Sequence, residues 1–401
     1  MVLEMDEEYG KGFQGSSKNI VSDCKDYFLL FGFAAFLSSF LVFDSWKSVN
    51  NVFFGFVLFP LVFCCSRKQL IRMHHSWLVN LFFSFILYLV ASSFWSSSFS
   101  MDVFFRYMKR ALYIYGFFVA VFVLVDDFPR FPQSVVNYFA PVLLCFSVIC
   151  LVVFYQEHDF PRARLLGQGR LTHPTFLSVV LLAYLGAFIW GFSDRFREHG
   201  WIGAFSLMIG ITVLILSQSR SSFVALIVMV VVALLIDKKV SRFHFLSVCL
   251  IILGGAVSYD MGLLTNRGMS WRPEIWSSVL ERVKDCGMWF GCGYGGWKSD
   301  AVVVGDMKFD HPHSIYLGQF FYGGIVALVS YICLLAGFLF HGLRVRRAIP
   351  WVLVLTAGVS VTLTEGSKLL TTPSPIWLVL FFPMAMILAI SLIGSGQDSE
   401  T

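Results

Sequence analysis

Three short stretches hold side chains able to move a proton or grip a phosphate. The first is His311-Pro312-His313-Ser314, directly ahead of an apolar run. An imidazole of near-neutral pKa suits a general base acting on a hydroxyl. A His at the mouth of a membrane span is costly unless it is used or paired. Two His also raise the question of a metal. The i, i+2 spacing across a proline is poor for joint ligation, however, and no Cys or acidic cluster completes a set. A purely structural loop His is the plainer alternative. The second stretch is Ser270-Trp271-Arg272-Pro273-Glu274, followed by Ile275, Trp276, Val279, Leu280 and Val283. That spacing predicts one face of a short amphipathic helix, with Pro273 at its first position and Arg272 at the cap. Free N–H groups at a helix N-terminus beside a guanidinium fork suit phosphate oxygens. Pairing of Arg272 with Glu274 or Glu281 is the alternative. The third is Ser217-Gln218-Ser219-Arg220, a lone charge between two apolar runs with almost no loop.

Other polar groups gather nearby in sequence. Arg162, Arg164 and Arg170 share one short loop and suggest an anion site, against the alternative of solvated charges or lipid-headgroup contacts. Glu365 and Lys368 lie between the last two apolar runs and could pair with each other. Arg106, Lys109 and Arg110 read first as snorkelling residues at a span end. The stretch from Gly287 to Trp297 alternates glycines with aromatics, which fits an interfacial turn or a surface for sugar faces. It also holds Cys292, six residues after Cys286. That separation leaves a disulfide open in an oxidising compartment without arguing for it.

The elements that must position these residues follow from composition. The chain has 401 residues, 57% of them hydrophobic and only 14% charged. Soluble domains carry about 25% charge. A disordered chain, a nucleic-acid binder and an ordinary cytosolic enzyme are thereby excluded. An all-α polytopic membrane protein remains, because helices satisfy their own backbone where lipid cannot. Apolar runs fall at about 27–43, 52–65, 76–95, 111–126, 135–155, 175–192, 201–216, 223–236, 243–258, 315–340, 348–364 and 376–394, giving about 12 candidate spans. The first is expected to be an uncleaved span. With the N-terminus inside, inner segments hold 15 basic residues and short outer ones 9. Both termini are therefore expected on the cytoplasmic side. The expected organisation is a tail at 1–26, spans 1–9 over 27–258, a long outer loop at 259–314 with short amphipathic helices, spans 10–12 over 315–394, and a tail at 395–401.

In order and spacing these motifs resemble the O-antigen ligases of Gram-negative inner membranes, within the wider group of O-antigen polymerases and O-linked oligosaccharyltransferases. The likeness covers roughly residues 160–335 by motif and the whole chain by length and span count. His313-Ser314 is followed after nine residues by Gly324, as in the family. Ala327 then departs from the family's usual Gly, Thr or Tyr. Arg220 looks like the family's first essential Arg, and Arg272, in Arg-Pro-Glu-Ile-Trp, like its second. Arg164 to Pro174 resembles the outer loop before the core, and Glu365 is a candidate for an acidic residue some members require between the last two spans.

The resemblance implies a GT-C-like glycosyltransferase with a periplasmic site and one long periplasmic loop. It would take an O-antigen glycan from undecaprenyl pyrophosphate and join it to a sugar hydroxyl of lipid A–core oligosaccharide. The chemistry would invert the anomeric centre and need no metal, nucleotide or other cofactor. In that reading His313 is the general base, and Arg220 and Arg272 stabilise the departing diphosphate. Arg162, Arg164, Arg170, His311, Glu365 and Lys368 would contact substrate. The chain's partners would be donor, acceptor and membrane lipids, with no nucleic acid. The rivals are an O-antigen polymerase or O-linked oligosaccharyltransferase using the same donor and, from another class, a polysaccharide transporter. A transporter would place charges mid-span, whereas these collect at the outer rim.

Overall fold

A computed structural model describes residues 20–191, 200–236, 271–296, 302–304, 307–309 and 311–397, with scattered positions between 249 and 262. Most of the apolar run at 243–258, most of 259–270, much of the two expected tails and Lys238, Lys239 and Arg242 lie outside the described residues. Every other apolar run read from the sequence lies in a helix. In chain order these helices are α1 (Ile20–Val42), α2 (Trp46–Cys64), α3 (Arg67–His74), α4 (Trp77–Ala91), α5 (Met101–Asp127), α6 (Phe131–Tyr155), α7 (Pro174–Gly191), α8 (Gly200–Ser217), α9 (Arg220–Ile236), α10 (Arg272–Cys286), α11 (Ile315–Leu343), α12 (Ile349–Thr362) and α13 (Phe382–Gln397). A π turn at Trp377–Phe381 leads into α13. The protein is a polytopic, helical membrane protein. Among the described residues five helices are long and apolar enough to cross a bilayer: α2, α4 extended to Trp95, α5, α6 and α11.

Two features differ from expectation. A small hairpin, β1 (Val302–Val304) paired antiparallel with β2 (Met307–Phe309), stands inside the otherwise helical chain. Three Val on one strand and Phe309 on the other favour that pairing. Helix α5 also starts ten residues before the expected span, at Met101. Ser100 caps it, its hydroxyl accepting from the Val103 amide at 3.2 Å. The early start carries Arg106, Lys109 and Arg110 inside a helix rather than at its outer edge. Amphipathic stems allow that, and Arg110 donates to the Leu370 carbonyl at 3.1 Å.

The core is aromatic. Phe33 of α1 stacks on Phe117 of α5 at 5.8 Å, and Phe117 meets Trp377 edge-on at 5.2 Å. Helix α12 runs through the middle of the bundle against α7, α9 and α11, and its residues are almost all buried. Gly358 permits that approach, since a Cβ there would collide with the Val379 carbonyl.

Helix α11 is broken part-way. Gly324 has φ 66° and ψ −162°, a conformation open to glycine alone. In a span a break exposes backbone groups that lipid cannot satisfy. The glycine-rich segment supplies the partners. Cys292 and Gly293 amides donate to the Phe321 and Tyr322 carbonyls at 2.7 and 3.0 Å. The Ile325 and Val326 amides donate to the Met288 and Trp289 carbonyls at 2.9 and 3.3 Å. Such close backbone docking explains the missing side chain at Gly291, whose added Cβ would sit 2.6 Å from the Gly324 nitrogen.

Candidate active site

Three chain breaks deliver the candidate residues to one region. Between α8 and α9 the chain turns through Gln218, which holds φ 49° although it is not glycine. The Gln218 side chain secures the turn by donating to the Arg162 carbonyl at 3.0 Å. Ser219 then faces the start of α9, and Arg220 is its first, exposed residue. The outer loop is stitched to the same turn: Arg164 Nε donates to the Ser217 carbonyl, and the Leu165 amide to the Leu216 carbonyl, both at 2.9 Å.

The second break precedes α10. Helix α10 begins at Arg272 itself, with Trp271 at the cap and Pro273 one position later than expected. Ile275, Val279 and Val283 are buried, the face their spacing predicts. Arg272 does not pair with Glu274 or Glu281. Its Nη2 lies 2.8 Å from Oε1 of Glu365, a buried carboxylate in the segment after α12. The alternative of a Glu365–Lys368 pair does not form. Lys368 instead reaches the Tyr107 hydroxyl at 3.4 Å and sits 5.1 Å over the Tyr322 ring.

Beneath Glu365 lies a set of small hydroxyls. Thr175 donates to Oε1 of Glu365 at 3.4 Å, and Ser219 donates to Thr175 at 3.0 Å. Ser222 follows at 2.9 Å from Ser219, and Ser178 donates to it at 2.8 Å. Thr364 donates to Ser221 at 2.8 Å. The residues on both sides of Arg220 thus touch groups next to or under Glu365. This network was not read from the sequence, because isolated Ser and Thr in apolar runs have no distinguishing pattern. Burial pushes the Glu365 carboxyl upward, while Arg272, Thr175 and Arg164 pull it back down.

The third break is the entry to α11. Ser314 caps the helix, its hydroxyl accepting from the Leu317 amide at 3.3 Å. His313, immediately before it, holds φ 52°, a strained value for a residue with a side chain. Its amide donates to Nδ1 of His311 at 3.3 Å, and the two rings lie 3.9 Å apart. Trp276 of α10 donates to the Pro312 carbonyl at 3.2 Å, tying this loop to the turn after Arg272. Desolvation first, then His311, Arg272 and His173, hold the His313 ring well below its ordinary value, at about 4. The imidazole is therefore neutral at physiological pH and free to accept a proton. Among the described residues no His, Cys, Asp and Glu cluster could hold a metal.

Next to this group is a cavity of about 350 Å3, lined by Arg110, Arg170, Lys368, Trp46, His173 and Ser374 among others. Three cations and no carboxylate line it. Arg170 lies flat on the Trp46 ring at 3.2 Å, and its Nη1 donates to the Asp44 carbonyl at 2.7 Å. Its Nε and the Ser374 hydroxyl are buried with no partner among the described residues. Arg110, read from sequence as a span-end residue, is a lining residue here. The structure thus gathers Arg164, Arg272, His311, His313 and Glu365 around one point and sets Arg170 and Lys368 in the adjoining cavity. Arg220 stands at the rim, and the Arg162 side chain is exposed, while its carbonyl accepts from Gln218. Cys286 and Cys292 form a disulfide.

Residues 204–332 match the family model described as O-antigen ligase, a stretch that contains Arg220, Arg272, His313 and Gly324. That stretch is similar to O-antigen ligases. The chain is also 26% identical over 377 residues to a Pseudomonas aeruginosa protein named O-antigen ligase, covering 91% of this chain and 90% of the relative. Glu365 and the cationic cavity sit outside the family-matched stretch in sequence but against it in space.

Proposed function

We propose that this protein is an O-antigen ligase, moving a glycan from undecaprenyl pyrophosphate to a sugar hydroxyl of lipid A–core oligosaccharide. The observation that carries the reading is the pairing of a neutral imidazole with converging guanidinium groups. His313 is held uncharged, with Arg272 close enough to depress it. The donor brings its own leaving group, so no nucleotide site is required. His313 takes the proton from the acceptor hydroxyl as that oxygen attacks the anomeric carbon. The bond from that carbon to the diphosphate oxygen breaks, and the electron pair leaves with the prenyl diphosphate. Direct displacement inverts the centre. Arg220 and Arg272 face the growing charge. Arg110, Arg170 and Lys368 suit the diphosphate before and after transfer, since their cavity holds cations and no carboxylate. Arg164, Arg162, His311 and Glu365 complete the substrate contacts.

The same reading takes the described helices other than α3 and α10, together with the run at 243–258, as 12 spans of a GT-C-like architecture. Both termini would be cytoplasmic, with spans 1–9 over 27–258, spans 10–12 over 315–394 and a periplasmic loop between them. The Cys286–Cys292 disulfide agrees with a loop in an oxidising compartment. The test is reconstitution in the inner-membrane setting: purified protein, lipid-linked glycan and lipid A–core, without nucleotide or metal. Joined lipopolysaccharide is expected. Longer lipid-linked glycan would instead identify a polymerase, and no reaction would remove the proposal.

A further inference from the structure

Arg272 opens α10 and His313 stands just ahead of α11, and the structure ties those two helices together twice. At the site end, Trp276 of α10 donates to the Pro312 carbonyl at 3.2 Å. At the other end, Cys286, the last residue of α10, is bonded to Cys292. Cys292 belongs to the segment that fills the break in α11, through the amide bonds to Phe321 and Tyr322. Further contacts seat the same segment. Trp95 donates to the Phe290 carbonyl at 3.0 Å, while on the α11 side of the break the Tyr88 hydroxyl donates to the Gly323 carbonyl at 2.7 Å. Gly293 has no room for a side chain, a Cβ there lying 2.4 Å from the Ser92 carbonyl.

We infer that the Cys286–Cys292 bond and the plugged break at Gly324 form a positioning clamp that sets Arg272 against His313. Arg272 and Cys286 stand at opposite ends of α10, about 21 Å apart at 1.5 Å per residue. A helix of this length acts as a lever: its C-terminal anchor fixes the direction in which Arg272 points. The clamp makes site geometry depend on the oxidation state of one cysteine pair. A dithiol reductant opens it by breaking the S–S bond. Two electrons pass to the sulfurs, each sulfur takes up a proton, and the reductant leaves as its own cyclic disulfide. Once opened, the plug keeps its backbone bonds to α11, and the C-terminal end of α10 loses its covalent tie to Cys292. The six other described cysteines form no disulfide.

This inference rests on the reaction proposed above for its catalytic readout only. The full-length protein is compared in the oxidised form and after dithiothreitol treatment, by amide hydrogen exchange and by transfer kinetics. The expected result is at least tenfold faster exchange both at the plug (288–293 and 321–326) and at the site end (272–276 and 311–317). Transfer kcat falls at least tenfold, with less than a threefold change in donor KM, and reoxidation restores it. The Cys286→Ser/Cys292→Ser variant matches the reduced protein and no longer responds to dithiothreitol. If that variant does not accumulate, reduction of the folded wild-type protein measures the same quantity. Faster exchange confined to the plug, or unchanged exchange and kcat in fully reduced protein, would overturn the clamp. An oxidised protein without transfer activity defeats the proposed reaction, and the exchange measurement still decides the clamp.

Discussion

Nη2 of Arg272 and Oε1 of Glu365 lie 2.8 Å apart, joining the first residue of α10 to a buried carboxylate 93 positions later. The contact gives Glu365 a defined task. It orients one guanidinium nitrogen and leaves the rest of the fork for substrate. Glu365→Gln keeps an acceptor but loses the charge, and about a tenfold loss of kcat is expected. Glu365→Ala should lose about a hundredfold, since it strands a half-buried cation. Equal losses in both variants would show that charge-assisted orientation is not what matters.

Arg272→Lys follows from the same geometry. An ammonium is a point charge and cannot bond Glu365 and a phosphate oxygen along two fixed directions. Wild-type expression with a loss of about 10- to 100-fold in kcat/KM is expected, measured in the reconstituted transfer assay. Full activity with Lys would mean that position 272 supplies charge alone.

The pH profile should show the depressed imidazole. His313 sits at about 4, below the ordinary value of 6.5. A base works in its neutral form, so activity persists as pH falls through 6.5 and is lost only as pH falls through about 4. The linkage has the same sign for stability. Between those values the unfolded chain binds the proton and the folded one does not, so acidification through that window destabilises the fold. Removing the nearby charge with Arg272→Gln should move the acid limb upward. A half-loss of wild-type activity near 6.5 would contradict the buried, cation-flanked setting of the ring.

The cavity should govern donor affinity. Arg170→Ala and Lys368→Ala are expected to raise donor KM about tenfold each, with kcat changed far less, because their cations face the cavity rather than the imidazole. A fall in kcat at unchanged KM would move them into the reacting centre.

Gly324→Ala tests the broken helix. Its φ of 66° disfavours a side chain, and an added Cβ would lie 2.2 Å from the Trp289 carbonyl. Strain of this type costs about 1–3 kcal/mol per residue. A lowered thermal midpoint with the plug displaced is expected; an unchanged midpoint would mean that the break carries no constraint.

Much of the helical framework was legible because hydropathy alone marks apolar segments, and so was the buried face of α10 because Ile275, Val279 and Val283 recur at helical spacing. The break in α11 was not. Gly323-Gly324 in an apolar run looks like any small-residue pair, and the need for a plug appears only when orphaned carbonyls are counted in space. The glycine–aromatic segment was visible as a turn, but its docking partner lies about thirty residues on. His313, Arg272 and Arg220 stood out by charge and placement. Glu365 is visible as a charge, but its partner is not, since Lys368 is nearer in sequence and Arg272 nearer in space. Arg110 was taken for a span-end residue because a basic cluster beside an apolar run has the same pattern whether it meets lipid headgroups or lines a cavity.

The most direct test is His313→Ala in the reconstituted reaction of lipid-linked glycan with lipid A–core, scored against wild type at matched expression. The imidazole account predicts that wild-type protein forms joined lipopolysaccharide and that His313→Ala forms none above background. Ligation by His313→Ala at the wild-type rate would contradict it.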